Sequence, residues 1–152
     1  ETMEEMGVPS SAIRVIGRLK TVVAPMGATV DAFVGVTDAQ IQDMRCNACE
    51  VAEVFTLPLS FFLNREPEEY SVRLQIHPSY IDSNTGKEIV LLPVDEIGLP
   101  DMYRQPWGNF RYRVFVYRTD FGAIWGITAR LLRDFAAQIK EQVRRTAASG
   151  GG

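Results

Sequence analysis

The clearest periodic signal lies near the end of the chain, where Leu131, Leu132, Phe135, Ile139 and Val143 recur at three- and four-residue steps. That spacing gathers them on one side of an amphipathic helix, predicted from Thr128, a residue type suited to N-capping, to Arg145. Upstream, the pattern is mostly of period two. Val72, Leu74 and Ile76 alternate with Arg73, Gln75 and His77 and predict a half-buried strand over Ser71–His77. β-Branched residues predict further strands over Ala12–Lys20, Thr29–Val36 and Glu50–Leu57, with a turn at Pro25-Met26-Gly27 and a polar loop over Thr37–Cys49. Pro58 suits the first residue of a short helix through Leu63, because its missing N–H costs nothing there. Asp82–Gly86 predicts a turn into Glu88–Val94, Val94–Asn109 reads as loop, and Phe110–Arg118 with Ala123–Gly126 predicts a hairpin. Phe33, Phe55 and Phe115 are expected in the core, Trp125 as a packing anchor, and His77 on an exposed face.

These elements predict an α+β fold with helices on a mixed sheet. At 152 residues and 46% apolar content the chain suits one domain, expected over residues 1–146, with 147–152 as a flexible glycine-rich tail. A net charge of −3 argues against broad capture of nucleic acid. No apolar run approaches the roughly 20 residues that span a bilayer, so no membrane partner is expected. The expected location is the cytoplasm, with peroxisome and mitochondrion open, and homodimerisation is an open assembly state. Cys46 and Cys49 have CxxC spacing but lie in a polar stretch with only His77 as a further soft ligand. A closed zinc site needs four ligands, so reduced loop thiols are expected.

The chain opens Glu1-Thr2-Met3-Glu4-Glu5-Met6-Gly7-Val8. Carboxylates at positions 1, 4 and 5 share one helical face, offer hard oxygen ligands of the kind Mg²⁺ takes, and are followed by a glycine suited to a left-handed cap. A solvated acidic helix end has the same spacing. Arg111 and Arg113 lie on one strand face, where phosphate binding competes with simple solvation.

The opening run resembles the second half of the Nudix box, Gx5Ex7REUxEExGU, with Glu1, Glu4, Glu5, Gly7 and Val8 in register and Thr2 where an aliphatic residue is usual. Two more stretches are similar to the coenzyme A pyrophosphatase branch of that family, Pro25–Gly35 and the Trp125-Gly126-Ile127-Thr128-Ala129 entry to the last helix, and Glu50–Ser60 is similar to a strand and helix start found widely in Nudix proteins. The resemblance implies a Nudix-like α/β/α sandwich, cut within the box, with the first box glutamate and the opening strands upstream of residue 1. It implies hydrolysis of a nucleoside diphosphate-linked small molecule, coenzyme A or acyl-CoA, to 3′,5′-ADP and (acyl-)phosphopantetheine. Glu1, Glu4 and Glu5 would hold Mg²⁺ or Mn²⁺, and Glu50 would be the general base, with Glu5 as the alternative. The 152 residues alone are expected to be inactive and poorly folded. ADP-ribose or another nucleotide diphosphate as substrate, non-catalytic nucleotide binding and a purely structural role are the rival readings. The long Pro78–Trp107 stretch leaves substrate preference open.

Overall fold

A computed structural model describes residues 2–25 and 27–149. The fold is α+β: three α-helices and nine strands among the described residues, the strands gathered into small sheets. It divides into two compact units, Glu1–Glu69 with Phe115–Gly152, and Tyr70–Val114.

The first unit opens with helix α1 (Thr2–Met6) and a single 3-10 turn at Ser10–Ala12. Strand β1 (Ile13–Arg18) then pairs antiparallel with β4 (Phe33–Thr37), with a register shift between Val15 and Gly17. Between them β2 (Val22–Val23) and β3 (Thr29–Val30) form a small hairpin. The strand expected over Thr29–Val36 is therefore two strands. Asp31 sits at the break and accepts hydrogen bonds from Thr21 Oγ1 at 2.6 Å and Arg18 Nη2 at 2.7 Å. These hydrogen bonds, Thr21's first, hold its carboxyl below the usual aspartate range.

Glu50–Leu57 is not a strand. It has no ladder partner among the described residues, and β-rich residues become a strand only when a neighbouring backbone supplies the hydrogen bonds. Helix α2 (Leu59–Asn64) comes next, with Pro58 as its N-cap rather than its first residue. Helix α3 (Gly126–Ser149) starts two residues before Thr128, at a glycine with φ +67°, and continues through residues 147–149. Thr128 lies inside the helix and is not its cap.

The core of this unit comprises Phe62 of α2, Ala129 and Ala136 of α3, and Phe115 and Tyr117 of strand β8 (Trp107–Thr119). The two alanines are 0% and 2% exposed. α3 is thus most deeply buried at small side chains that the apolar spacing alone did not single out, with Leu132 between them packed against the cluster. Phe62 meets Tyr117 edge-on at 5.2 Å, and the Arg133 guanidinium covers Phe115 at 4.5 Å. Burial first, then the nearby Glu66 charge, raises the Tyr117 phenol above its ordinary value.

Several residues expected inside are outside. Phe33 is 59% exposed, Trp125 66% and Val143 63%. Trp125 ends strand β9 (Gly122–Trp125), which forms the expected hairpin with β8. Phe55, also expected inside, is exposed and stacks on Phe121 of the hairpin turn at 4.9 Å.

In the second unit, β6 (Ser79–Ile81) pairs with β7 (Glu88–Val90) around the Asp82–Gly86 turn. Asp82 accepts from Thr85 Oγ1 at 2.7 Å and the Asn84 N–H at 3.1 Å, closing that turn. A 3-10 segment, Asp101–Arg104, precedes β8, and Arg104 bridges to Asp95 at 2.5 Å and Asp101 at 3.1 Å. Strand β5 (Glu68–Ile76) lies beside β8 in the sheet order β5-β8-β9. Its apolar face is more open than the alternation predicted: Leu74 is partly buried, but Val72 and Ile76 are about half exposed, and the neighbouring His77 is exposed as expected.

Candidate functional site

α1 is only five residues long, below the length at which an isolated helix persists in water. Its C-terminal end is what fixes it. The Gly7 N–H donates to the Met3 carbonyl at 3.1 Å, with Gly7 at φ +66°, the left-handed cap the sequence predicts. Val8, 3% exposed, then anchors the chain.

Gly7 is required for a second reason as well. A Cβ there would stand 2.5 Å from the Arg45 carbonyl oxygen and 2.9 Å from Arg45 Cβ. The helix end thus seats directly on the backbone of the Thr37–Cys49 loop. Two residues further along that loop, the Asn47 N–H donates to the Glu5 carbonyl at 2.8 Å. Asn47 also organises the next turn of the chain. Its side-chain oxygen accepts from the Cys49 N–H at 3.1 Å, and its carbonyl accepts from Glu50 N at 3.0 Å and Val51 N at 2.8 Å.

One residue therefore joins the α1 backbone to the turn that carries Glu50. Sequence reasoning chose Glu5 and Glu50 separately; it missed Asn47 and Arg45, which connect them. An asparagine between two cysteines in a polar loop carried the signal, since this side chain readily caps a turn.

Glu4 is exposed, Glu5 partly buried and Glu50 exposed. Glu1, the third carboxylate of the expected metal set, lies outside the described residues. Among those described, no three His, Cys, Asp or Glu side chains form a metal-binding group. Glu4 and Glu5 supply the right donor chemistry for Mg²⁺ or Mn²⁺, hard carboxylate oxygens, and are two of the three expected ligands. Cys46 is half-buried, Cys49 is exposed, and both are free thiols beside Asn47. Next to α1, an apolar groove of about 340 Å³ is lined by Met6, Val8, Ile13, Val15 and Phe33 among others. No helix among the described residues is long and apolar enough to cross a membrane.

No family model matches the chain. It is similar to the human mitochondrial coenzyme A diphosphatase NUDT8, 29% identical over 140 residues, which cover 91% of this chain and 46% of that protein. It is likewise 29% identical over 139 residues to the uncharacterized Nudix hydrolase NudL of Salmonella paratyphi B and of Salmonella newport, covering 91% of this chain and 55% of each relative. The chain spans about half the length of the curated relatives it matches. Glu4, Glu5, Gly7 and Val8 stand in box register on a helix ended by a left-handed glycine, and in this the chain resembles the Nudix hydrolases it matches. Within that family, the human relative bears the name of a coenzyme A diphosphatase.

Proposed function

We propose that the full-length protein carrying this chain is a metal-dependent Nudix pyrophosphohydrolase. In this reading it cleaves coenzyme A or acyl-CoA to 3′,5′-ADP and (acyl-)phosphopantetheine. The observation that best supports it is the junction of α1 with the Glu50 turn: the Asn47 N–H on the Glu5 carbonyl at 2.8 Å, and the seat of Gly7 on Arg45. That junction gives two carboxylate-bearing segments a fixed backbone relationship, which a surface acidic cluster would not need. The likeness to a coenzyme A diphosphatase supports the substrate.

In this reading Glu4 and Glu5, with Glu1, hold Mg²⁺ or Mn²⁺. The ion, when bound, screens the diphosphate charge and acidifies a water molecule. Glu50 takes the proton from the attacking water as its oxygen forms the new bond to phosphorus and the P–O anhydride bond breaks toward the departing phosphate. Glu5 is the alternative base. The short capped helix limits how far Glu4 and Glu5 can drift, which matters because misplacement by about 1 Å can cost roughly 100-fold in rate.

The test is hydrolysis of coenzyme A by the full-length protein with Mg²⁺ or Mn²⁺, with ADP-ribose in parallel. Release of 3′,5′-ADP from coenzyme A is the expected result. Turnover of ADP-ribose alone would keep the reaction and replace the substrate. Nucleotide binding without turnover of either would sink the hydrolase reading.

A further inference from the structure

A surface groove of about 350 Å³ in the second unit is lined by Ser71, Val72, Arg73, Asn109 and Arg111. Ser71 and Arg73 are alternate residues of β5, and Asn109 and Arg111 are alternate residues of β8, the neighbouring strand. Alternation places each pair on one face. The polar part of this lining is a hydroxyl, a carboxamide and two guanidinium groups, with no carboxylate among them. Arg73 spends one Nη2 donor on Gln75 Oε1 at 2.6 Å, which holds its guanidinium over the strand. Arg111 has no carboxylate partner among the described residues, whereas Arg18, Arg104 and Arg118 are each bridged to one. Two positive charges thus face one groove in a chain whose net charge is −3.

We propose that this groove is an anion site for a tetrahedral phosphoryl dianion. A guanidinium presents its N–H groups as a planar fork that matches two phosphate oxygens at once. Ser71 and Asn109 add neutral donors, suited to the remaining oxygens. The groove is larger than one phosphoryl group, so a phosphate ester fits as well as the free anion. The proposal does not depend on the hydrolase reading, because it concerns binding without turnover.

The experiment is calorimetric titration of the full-length protein with inorganic phosphate, 3′-AMP and adenosine. EDTA is present throughout, so that no metal ion recruits phosphate elsewhere. Saturable binding of phosphate or 3′-AMP, but not adenosine, is expected, weakened at least tenfold by the Arg73→Ala/Arg111→Ala pair. Arg14→Ala, which removes an exposed arginine of the first unit, should change it less than twofold. Tighter binding of 3′-AMP than of phosphate would assign the site to an ester, and equal affinity to the free anion. Absence of saturable binding, unchanged affinity in the double variant, or an equal loss in Arg14→Ala would each overturn the proposal. Should the double variant lose its circular dichroism, Arg73→Lys/Arg111→Lys keeps the charge and removes the fork. Wild-type affinity in that variant would overturn the bidentate site.

Discussion

Replacing Gly7 with alanine isolates the contact that positions the candidate site. At φ +66° an L-residue is strained, which costs about 1–2 kcal/mol. The added Cβ would also meet the Arg45 carbonyl oxygen at 2.5 Å, and that atom is backbone and cannot rotate away. Relief comes from lifting α1 off the loop, which breaks the bond from Asn47 N–H to the Glu5 carbonyl. The strain alone, about 1–2 kcal/mol, corresponds to a roughly 5- to 30-fold fall in the ratio of docked to undocked helix at 1.4 kcal/mol per decade, and the clash with Arg45 lowers that ratio further.

Amide hydrogen exchange at Asn47 reads that ratio directly, and its protection should fall by at least that factor in Gly7→Ala. Gly27→Ala is the control. It carries the same conformational strain, at φ +80°, with nothing within 4 Å of the added methyl, so Asn47 should exchange as in the wild type. Equal Asn47 protection in Gly7→Ala and wild type would refute the argument that the Arg45 seat holds the helix. A loss of Asn47 protection in Gly27→Ala as large as that in Gly7→Ala would refute its locality.

Three further outcomes are expected. Glu5→Gln in the full-length protein should lower coenzyme A turnover by at least about 100-fold with the fold intact by circular dichroism; retention of more than about a tenth of the activity would remove Glu5 from the mechanism. Phe62→Ala should cost about 3–5 kcal/mol in urea unfolding, because Phe62 packs with Phe115, Tyr117 and both buried alanines of α3; a loss under about 1 kcal/mol would mean this cluster is not the stabilising core. Tyr117 stays protonated in the fold above the pH at which the unfolded phenol ionises, near its ordinary 10.0. Its contribution is therefore complete below that pH and is lost as pH rises through the raised native value. The stability difference between wild type and Tyr117→Phe should be flat up to about pH 9 and move against the wild type above 10, and a flat difference throughout would contradict the raised value.

The sequence by itself determined the local elements whose causes are local. Gly7 ends α1, Pro58 opens α2, the Asp82–Gly86 turn closes a hairpin, and the three- and four-residue spacing of Leu131, Leu132 and Phe135 makes α3. Each arises from backbone preference or side-chain period within a few residues. The run Glu4-Glu5-x-Gly7-Val8 likewise carried the resemblance to the Nudix box in the identities of its residues.

Only the tertiary structure decided what depends on a partner distant in sequence. Glu50–Leu57 has strand-forming residues and no ladder, because hydrogen-bond partners are set by packing and not by propensity. Phe33 and Trp125 are apolar yet exposed, while Ala129 and Ala136 are the most buried positions of α3. Hydrophobicity reports the gain from burial, not whether another surface arrives to provide it. The joining of Glu5 to the Glu50 turn was likewise invisible, because it rests on one backbone amide at Asn47 and on a missing Cβ at Gly7. Neither has meaning until a loop some forty residues away is brought against the helix.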